Sequence, residues 1–169
     1  WTPRAMQGIF LSLFKTKKWL KSMDILNQER IKDTGVWSTF DNTCLHPIVI
    51  ANAFKNSKAY ICADPLSVNL MGYREWGSMY EFVEIVRIPE LLDYYRTQGL
   101  SLKSYFYCKN FALRNFINYM FKIIIGGQQM GKNYLNIKNH ILKNLFYPNV
   151  YLSLIYFIFR KIASIFKSK

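Results

Sequence analysis

The sequence predicts an α/β fold for the first part of the chain, followed by a region of helices alone. Two apolar runs, Gly8–Phe14 and Ala59–Leu70, are bounded by turn-forming residues, as buried strands are. Around them, apolar residues recur at the spacing of one helix face. Beyond Gly99 no strand-like run remains. We therefore divide the chain into two parts, residues 1–99 and residues 100–169.

The helices of the first part follow from local signals. Trp19, Met23 and Leu26 fall at i, i+4 and i+7, which predicts a helix from Lys17 onward. Proline suits the first turn of a helix, and glycine suits its end. The predicted elements are a loop at Ile31–Trp37, helices at Pro47–Lys55 and Trp76–Val86, and a short helix from Pro89 to Gly99.

The second part contains three predicted helices, all rich in aromatic and basic residues. Leu102–Ile125 is stopped by two glycines, and Asn133–Phe146 is stopped by a Tyr-Pro-Asn turn. Val150–Lys167 follows. For the first of these helices, packing on residues 1–99 with a basic outer face is an equally good interpretation.

The charges are distributed unevenly between the two parts. The net charge is +13, and all ten carboxylates lie within the first 93 residues, together with eleven Lys and Arg residues. The remaining 76 residues carry twelve Lys and Arg residues and no acid. Such asymmetry indicates an anionic partner, which could be lipid headgroups, nucleic acid or phosphates.

The last helix favours lipid among these partners. Its apolar stretch, Tyr151–Phe159, is shorter than the ~20 residues that a spanning helix needs. Apolar side chains share one side of this helix, and polar or basic ones occupy the other; the first group is Leu154, Ile155, Ile158, Ile162, Ile165 and Phe166, the second Ser153, Arg160, Lys161, Ser164 and Lys167. This pattern predicts a helix lying in the headgroup plane of an anionic membrane. Nucleic acid is not expected as a partner, because no RNA- or DNA-binding signature occurs.

One segment resembles a known enzyme family. The run from Trp37 to Pro47, with the residues that follow it to Ile61, is similar to the acceptor-side segment of bacterial family 2 (GT-A type) glycosyltransferases of the O-antigen kind, abequosyltransferases among them. Further motifs occur in the family's order, namely Gly8–Phe14, Lys15–Trp19, His46-Pro47, Pro65-Leu66 and Gly72–Trp76. The resemblance covers roughly residues 8 to 99.

The resemblance implies a function and a location. Residues 1–99 would be the acceptor-side part of a GT-A-like fold, and residues 100–169 a membrane-surface region. The enzyme would transfer a sugar from a nucleotide-sugar donor to a polyprenyl-diphosphate-linked saccharide in lipopolysaccharide O-antigen synthesis. It would act as a peripheral protein at the cytoplasmic face of the bacterial inner membrane.

The resemblance also implies that part of the enzyme is missing. The complete enzyme is expected to use a divalent metal, Mg²⁺ or Mn²⁺, held by an Asp-x-Asp motif, and this chain has no such motif. The chain also opens without Met, at Trp1. We therefore expect a fragment that lacks the nucleotide-binding half and does not transfer sugar alone.

Four residues are candidates for the site by this resemblance. Asp41 is the expected catalytic base, which would take the proton of the acceptor hydroxyl; its alternative role is to cap the following helix, and Asp33 is the reserve candidate. His46 is expected to approach the acceptor or a phosphate, with a structural role equally open. Arg74 and Trp76 are expected to contact the donor diphosphate and a sugar face, respectively.

Other readings remain beside the transferase. The chain could be a non-enzymatic peripheral membrane-binding or scaffold module, or a basic RNA-binding domain, which the sequence favours least. Two side expectations concern charged residues. Glu75, Glu81 and Glu84 are expected on a solvated helix face with Arg87, and His140 is expected to have no partner.

Overall fold

The structure is a computed structural model that describes residues 14–32, 35, 37–58, 79–125 and 129–167. Ten α-helices occur in this part of the chain: α1 (Thr16–Lys21), α2 (Gln28–Ile31), α3 (Phe40–Thr43), α4 (Leu45–Phe54), α5 (Tyr80–Phe82), α6 (Ile88–Thr97), α7 (Leu102–Ala112), α8 (Phe116–Ile124), α9 (Gln129–Lys132) and α10 (Pro148–Lys167). Short 3₁₀ turns lie at Met23–Ile25, Leu113–Asn115 and Leu142–Asn144, and π-helical turns lie at Val83–Arg87 and Ile137–Ile141.

The α/β prediction is wrong, because the described residues form helices and turns and contain no strand. The chain is all-helical where it is described. The expected strand Ala59–Leu70 lies outside the described residues, as does Gly8–Phe14 apart from its last residue. Both strand predictions used short apolar runs, and periodicity alone cannot tell such a run from a buried helical segment.

Residues 80–97 form one unbroken helical stretch. The sequence predicted a boundary at Pro89, but α5 leads directly into the π-helical turn Val83–Arg87 and then into α6. Proline cannot donate a backbone hydrogen bond. A π-helical turn immediately before it accommodates this missing helical hydrogen bond. The predicted end at Gly99 is confirmed. There φ is +103°, and Leu100 N–H donates to the Tyr95 carbonyl over 3.0 Å in a Schellman arrangement.

The first basic helix is interrupted where the sequence predicted continuity over Leu102–Ile125. The 3₁₀ turn Leu113–Asn115 separates α7 from α8. This break leaves the N–H of Ile117, near the start of α8, without a partner in its own helix. The Ser153 hydroxyl of α10 accepts from that N–H over 3.2 Å. The one serine in the apolar stretch of α10 therefore completes a different helix.

Two hydrophobic clusters hold the helices together. The first joins α5 and the π-helical turn to α8 and α10 and comprises Met79, Phe82, Ile85, Val86, Leu113, Phe116, Met120, Ile123, Tyr147 and Val150. The second joins α4, α6 and α7 and comprises Leu26, Cys44, Ile48, Val49, Ile88, Leu91, Leu92, Tyr95 and Ala112. The helical stretch 80–97 runs through both. Each cluster contains residues from both sides of position 99, and the division at that position stays a prediction.

Candidate functional site

The N-terminal end of α10 is firmly attached to the rest of the chain. Val150 and Ser153 are buried, and α10 packs on α7, on the 3₁₀ turn after it and on α8. Asn149 donates two hydrogen bonds to Asn110: its N–H donates to Asn110 Oδ1, and its Nδ2 donates to the Asn110 carbonyl, each over 2.8 Å. The first bond satisfies the N–H group of Asn149, which lies in the first turn of α10 and therefore has no acceptor within the helix. The beginning of the helix is thereby fixed on α7.

The remainder of α10 exposes a long apolar surface. Large apolar side chains are exposed along the helix from Tyr151 to Phe166, and Phe166 itself is 76% exposed. The exposed residues between these two are Leu152, Leu154, Ile155, Tyr156, Ile158, Phe159, Ile162 and Ile165. Isolated exposed apolar residues are ordinary, but a contiguous surface of this kind marks a contact with lipid or with another protein. The sequence predicted this apolar side, and its exposure agrees with a surface that binds something outside the chain.

The length of α10 differs from the sequence-based estimate. The helix begins at Pro148 and has 20 residues, and its segment Pro148–Phe166 is long and apolar enough to cross a membrane by length and composition. The prediction of a stretch too short to span is therefore wrong. Only 11% of the most apolar part is buried against the chain, whereas the core helix of a soluble protein is mostly buried. This helix is compatible with association with a membrane.

The polar side of α10 borders an open cleft of about 220 Å³. Its opposite wall comes from the 3₁₀ turn and α8, and its cationic lining consists of Arg114, Arg160 and Lys161. The remaining lining residues are Asn115, Asn118, Ser153, Tyr156, Phe157 and Ser164. Among them are amide and hydroxyl donors but no acid, so the cleft is suited to an anion.

The three cations of this cleft rest on aromatic rings. The Arg114 guanidinium lies 4.1 Å from the centroid of Phe111, and that of Arg160 lies 5.8 Å from Tyr156. Lys161 Nζ lies 5.1 Å from the Phe121 centroid. None of them forms an ion pair with a carboxylate of the described residues. The rings hold the cations in place while their charge remains available.

Other bases of the acid-free part are neutralised within the fold. The expected solvated face of Glu81, Glu84 and Arg87 is wrong, because Glu84 and Arg87 are buried and Glu81 accepts from Lys122 over 2.9 Å. Glu75, expected on the same face, lies outside the described residues. Asp93, further along the same helical stretch, accepts from Lys109 and, over 2.8 Å, from Lys143. Glu81 and Asp93 thus pair with lysines of the basic helices, and the free positive charge is smaller than the sequence indicates.

His140 belongs to this internal network, against the expectation that it lacks a partner. Its Nδ1 accepts from the backbone N–H of Asn136 over 2.9 Å, so the ring proton lies on Nε2. Nε2 is 3.0 Å from Glu90 Oε1, and Glu90 also accepts from Arg87 over 2.7 Å. Arg87 in turn donates to the carbonyl of Trp37, a residue in the left-handed region with φ of 55°. Glu90 lies 50 residues from His140, so no sequence spacing could have shown the pair.

The pKa values of the two central carboxyls are lowered. Burial alone acts to raise the pKa of Asp93, but hydrogen bonds from Lys109, Lys143 and Tyr105 outweigh it. Burial likewise acts to raise the pKa of Glu90, and its bonds with His140 and Arg87 outweigh that effect. Burial lowers the pKa of the Lys109 ammonium, against its bond with Asp93. These groups form a structural network that links α6, α7 and the π-helical turn Ile137–Ile141.

Asp41, the expected catalytic base, lies in the first turn of α3. Its carboxylate is 13% exposed and accepts from Arg30 Nη1 over 3.1 Å, while Arg30 itself is 62% exposed. The cap of α3 is Thr39, which forms a capping box with Asn42. Asp41 is therefore not the N-cap, although a carboxylate in the first turn is favourable. Its catalytic role stays a prediction.

His46 lies near the start of α4, where the sequence placed a helix beginning, and its ring is 5.8 Å from that of Trp19. Burial lowers its pKa below the usual value. The unfolded chain therefore binds a proton first as the pH falls through about 6.5, so this residue's contribution to stability decreases on acidification.

We expect an NMR titration of His46 in the folded protein to show a pKa below about 6.5. His46→Gln should reduce the loss of unfolding free energy between neutral and mildly acidic pH. His140→Gln is the comparison variant for the histidine signals, which it assigns. A His46 pKa above the ordinary value would contradict the burial of its ring.

The remaining candidates, Arg74, Trp76 and the reserve residue Asp33, lie outside the described residues. The structure therefore does not place them beside Asp41 or His46. Within the described part of the chain, no group of three His, Cys, Asp or Glu side chains is arranged to hold a metal ion. The divalent metal expected from the resemblance has no candidate ligands there and stays a prediction.

Comparison with known proteins gives no further assignment. No protein-family model, no curated protein and no solved structure matches the chain.

Proposed function

We propose that this chain works on the surface of an anionic membrane, with α10 as its lipid-binding element. The main support is the exposed apolar side of α10, together with the cations Arg160 and Lys161 of the same helix. Fully burying an apolar side chain of this size contributes about 1.5–3 kcal/mol, and each base near an anionic leaflet adds about 1 kcal/mol. Because the polar side of α10 faces the cleft and α8, the helix lies in the headgroup plane with its apolar side toward the acyl chains.

Vesicle flotation tests this proposal. The chain should float with vesicles that contain anionic lipid, float weakly with neutral ones, and lose binding as salt is raised. Binding that is indifferent to lipid charge would contradict the electrostatic part of the proposal. Failure to bind either kind of vesicle would contradict the proposal as a whole.

At this surface, the chain acts as the acceptor-side part of a glycosyltransferase for a lipid-linked saccharide, peripheral at the cytoplasmic face of a bacterial inner membrane. The support is the resemblance of the segment from Trp37 to Ile61, together with the position of α10. Arg87 donates to the carbonyls of Trp37 and Ser38, which fixes the start of α3 and with it Asp41. A nucleotide sugar is the donor, and a polyprenyl-diphosphate saccharide is presented where α10 binds.

Asp41→Asn is expected to reduce sugar transfer by about 10²–10⁴-fold, the usual contribution of a general base. The assay uses the polypeptide encoded by the whole reading frame, with a radiolabelled nucleotide sugar and a lipid-linked acceptor. Arg30, its ion-pair partner, is largely exposed to solvent, so the lost pair contributes about 0–1 kcal/mol, and folding and flotation should be unchanged.

Arg30→Gln is the matched control, because it breaks the same ion pair and retains the carboxylate. Retained turnover in Asp41→Asn would remove Asp41 from the mechanism. If the polypeptide of the whole reading frame binds vesicles but transfers no sugar, the non-enzymatic peripheral module becomes the better description.

A further inference from the structure

The cleft between α10 and α8 has the chemistry of a small anion site. Arg114 approaches from the 3₁₀ turn, and Arg160 and Lys161 approach from α10. The three come from two elements that are far apart in sequence, and the fold brings them to one opening. Guanidinium groups bind phosphate through paired N–H donors, and an ammonium adds a compact charge.

The donors of these side chains are only partly used. Arg114 Nη1 donates to the Phe111 carbonyl over 3.0 Å. No other hydrogen bond from the side chains of Arg114, Arg160 or Lys161 occurs within the described residues. Ser164 donates to the Lys161 carbonyl over 2.7 Å, and this bond leaves its oxygen as an acceptor next to the cations. The unused N–H groups are available to a ligand.

The size of the cleft limits what it can hold. Its 220 Å³ is below the roughly 300–1,000 Å³ of pockets that enclose drug-sized ligands. A whole nucleotide sugar is therefore too large, and a phosphate or diphosphate group is a better match. The cleft lies along the polar side of α10, so its cations would be on the headgroup side of the helix if the apolar side enters the acyl chains.

We propose that Arg114, Arg160 and Lys161 form a phosphate-binding site for the phosphate or diphosphate group of a membrane lipid. This proposal rests on the proposed position of α10 at a membrane. The apolar side of the helix enters the acyl chains, and the three cations that line the cleft along its polar side bind the phosphate of a headgroup. A lipid-borne phosphate and a free diphosphate share this chemistry.

The test compares two triple variants that remove the same charge. Arg114→Gln/Arg160→Gln/Lys161→Gln empties the cleft of cations, and Lys103→Gln/Lys132→Gln/Lys138→Gln removes three exposed cations elsewhere in the acid-free part. Both are measured by flotation with phosphatidic acid vesicles and with vesicles brought to equal surface charge by a fatty acid. Circular dichroism checks that each variant is folded.

The cleft variant should bind phosphatidic acid vesicles about tenfold more weakly than the control variant, equivalent to about 1.4 kcal/mol. The two variants should bind the fatty-acid vesicles equally. Competition by soluble pyrophosphate, followed by ³¹P NMR line broadening, would show that the free diphosphate is bound as well. Its absence alongside the tenfold difference would restrict the site to lipid-borne phosphate.

Equal loss in both variants on both vesicles would overturn the phosphate site and leave the membrane proposal intact. If the unchanged chain binds no vesicle, the membrane proposal fails, and phosphate recognition then stands or falls on the pyrophosphate titration. Should Arg114→Gln disturb α7 through its contact with Phe111, the double variant Arg160→Gln/Lys161→Gln is compared with Lys132→Gln/Lys138→Gln. Both of its substitutions lie at exposed positions.

Discussion

Asp93→Asn is expected to lower the unfolding free energy by about 3–5 kcal/mol, because it leaves a buried cation without its counter-charge. The Lys109 side chain is 1% exposed and is paired with Asp93. The same carboxylate accepts from Tyr105 over 2.6 Å and from Lys143 over 2.8 Å. Domains of this size are stable by about 5–15 kcal/mol, so the variant should be close to unfolding. Urea denaturation followed by circular dichroism measures the change.

Two further variants isolate the cause. Glu29→Gln breaks the exposed pair with Lys32, and we expect a loss of at most about 1 kcal/mol. Asp93→Asn/Lys109→Met removes both buried charges and should recover much of the loss. If the double variant is no more stable than Asp93→Asn, the buried charge of Lys109 is not what destabilises the single variant.

The pair of Asp93 and Lys109 also predicts that the stability of the protein depends on pH. The pKa of Asp93 is lowered in the folded chain, so its contribution is present above the unfolded value of about 4 and is lost as the pH falls through the folded value. Asp93→Asn should lack this acid-side decrease. The pKa of Lys109 is also lowered, so at alkaline pH the unfolded chain holds the proton longer and stability rises with pH.

Replacing Ile155, Ile158 and Ile162 of α10 by Ser is expected to weaken vesicle binding by about a hundredfold. Each side chain is roughly half exposed in the fold, so its transfer to lipid should contribute about 1 kcal/mol rather than the full value for an isoleucine. The three residues lie away from the docked positions Val150 and Ser153, and folding should be unaffected. Flotation or centrifugation with anionic vesicles measures the partition.

The control makes the same kind of change on other elements. Ile25, Ile137 and Leu142 are also exposed apolar residues, and their replacement by Ser should leave vesicle binding unchanged. An equal loss in both triple variants would show that α10 is not the lipid-binding element.

The α10 helix was predictable because its signal is local. An apolar side, a polar side and two consecutive cations can be seen along a single stretch of sequence, and only the start of the helix was misplaced. The interruption between α7 and α8 was not predictable in this way. The N–H group that the break leaves without a helical partner donates to Ser153, which lies 36 residues from Ile117 along the chain.

The charge pattern of the sequence indicates more free positive charge than the folded chain has. Twelve bases without an acid appeared fully available to an external partner, yet Lys109, Lys122 and Lys143 pair with acids of residues 80–97. Those acids were expected on a solvated face because helical periodicity does not show which side meets a neighbouring helix. Pro89 predicts a helix start because proline is frequent there, whereas a π-helical turn just before it allows the helix to continue.

The attachment of α10 determines how the protein would stand on a bilayer. The side chains of Asn110 and Ser153 accept from backbone N–H groups and so join the first two turns of α10 to α7 and α8. The helix is therefore a rigid attachment and not a flexible tether. A flexible tether would allow any distance and any tilt between the rest of the chain and the lipid. A rigid attachment fixes the distance and the tilt, so that every group of the fold, Asp41 included, is held at one distance from the membrane surface.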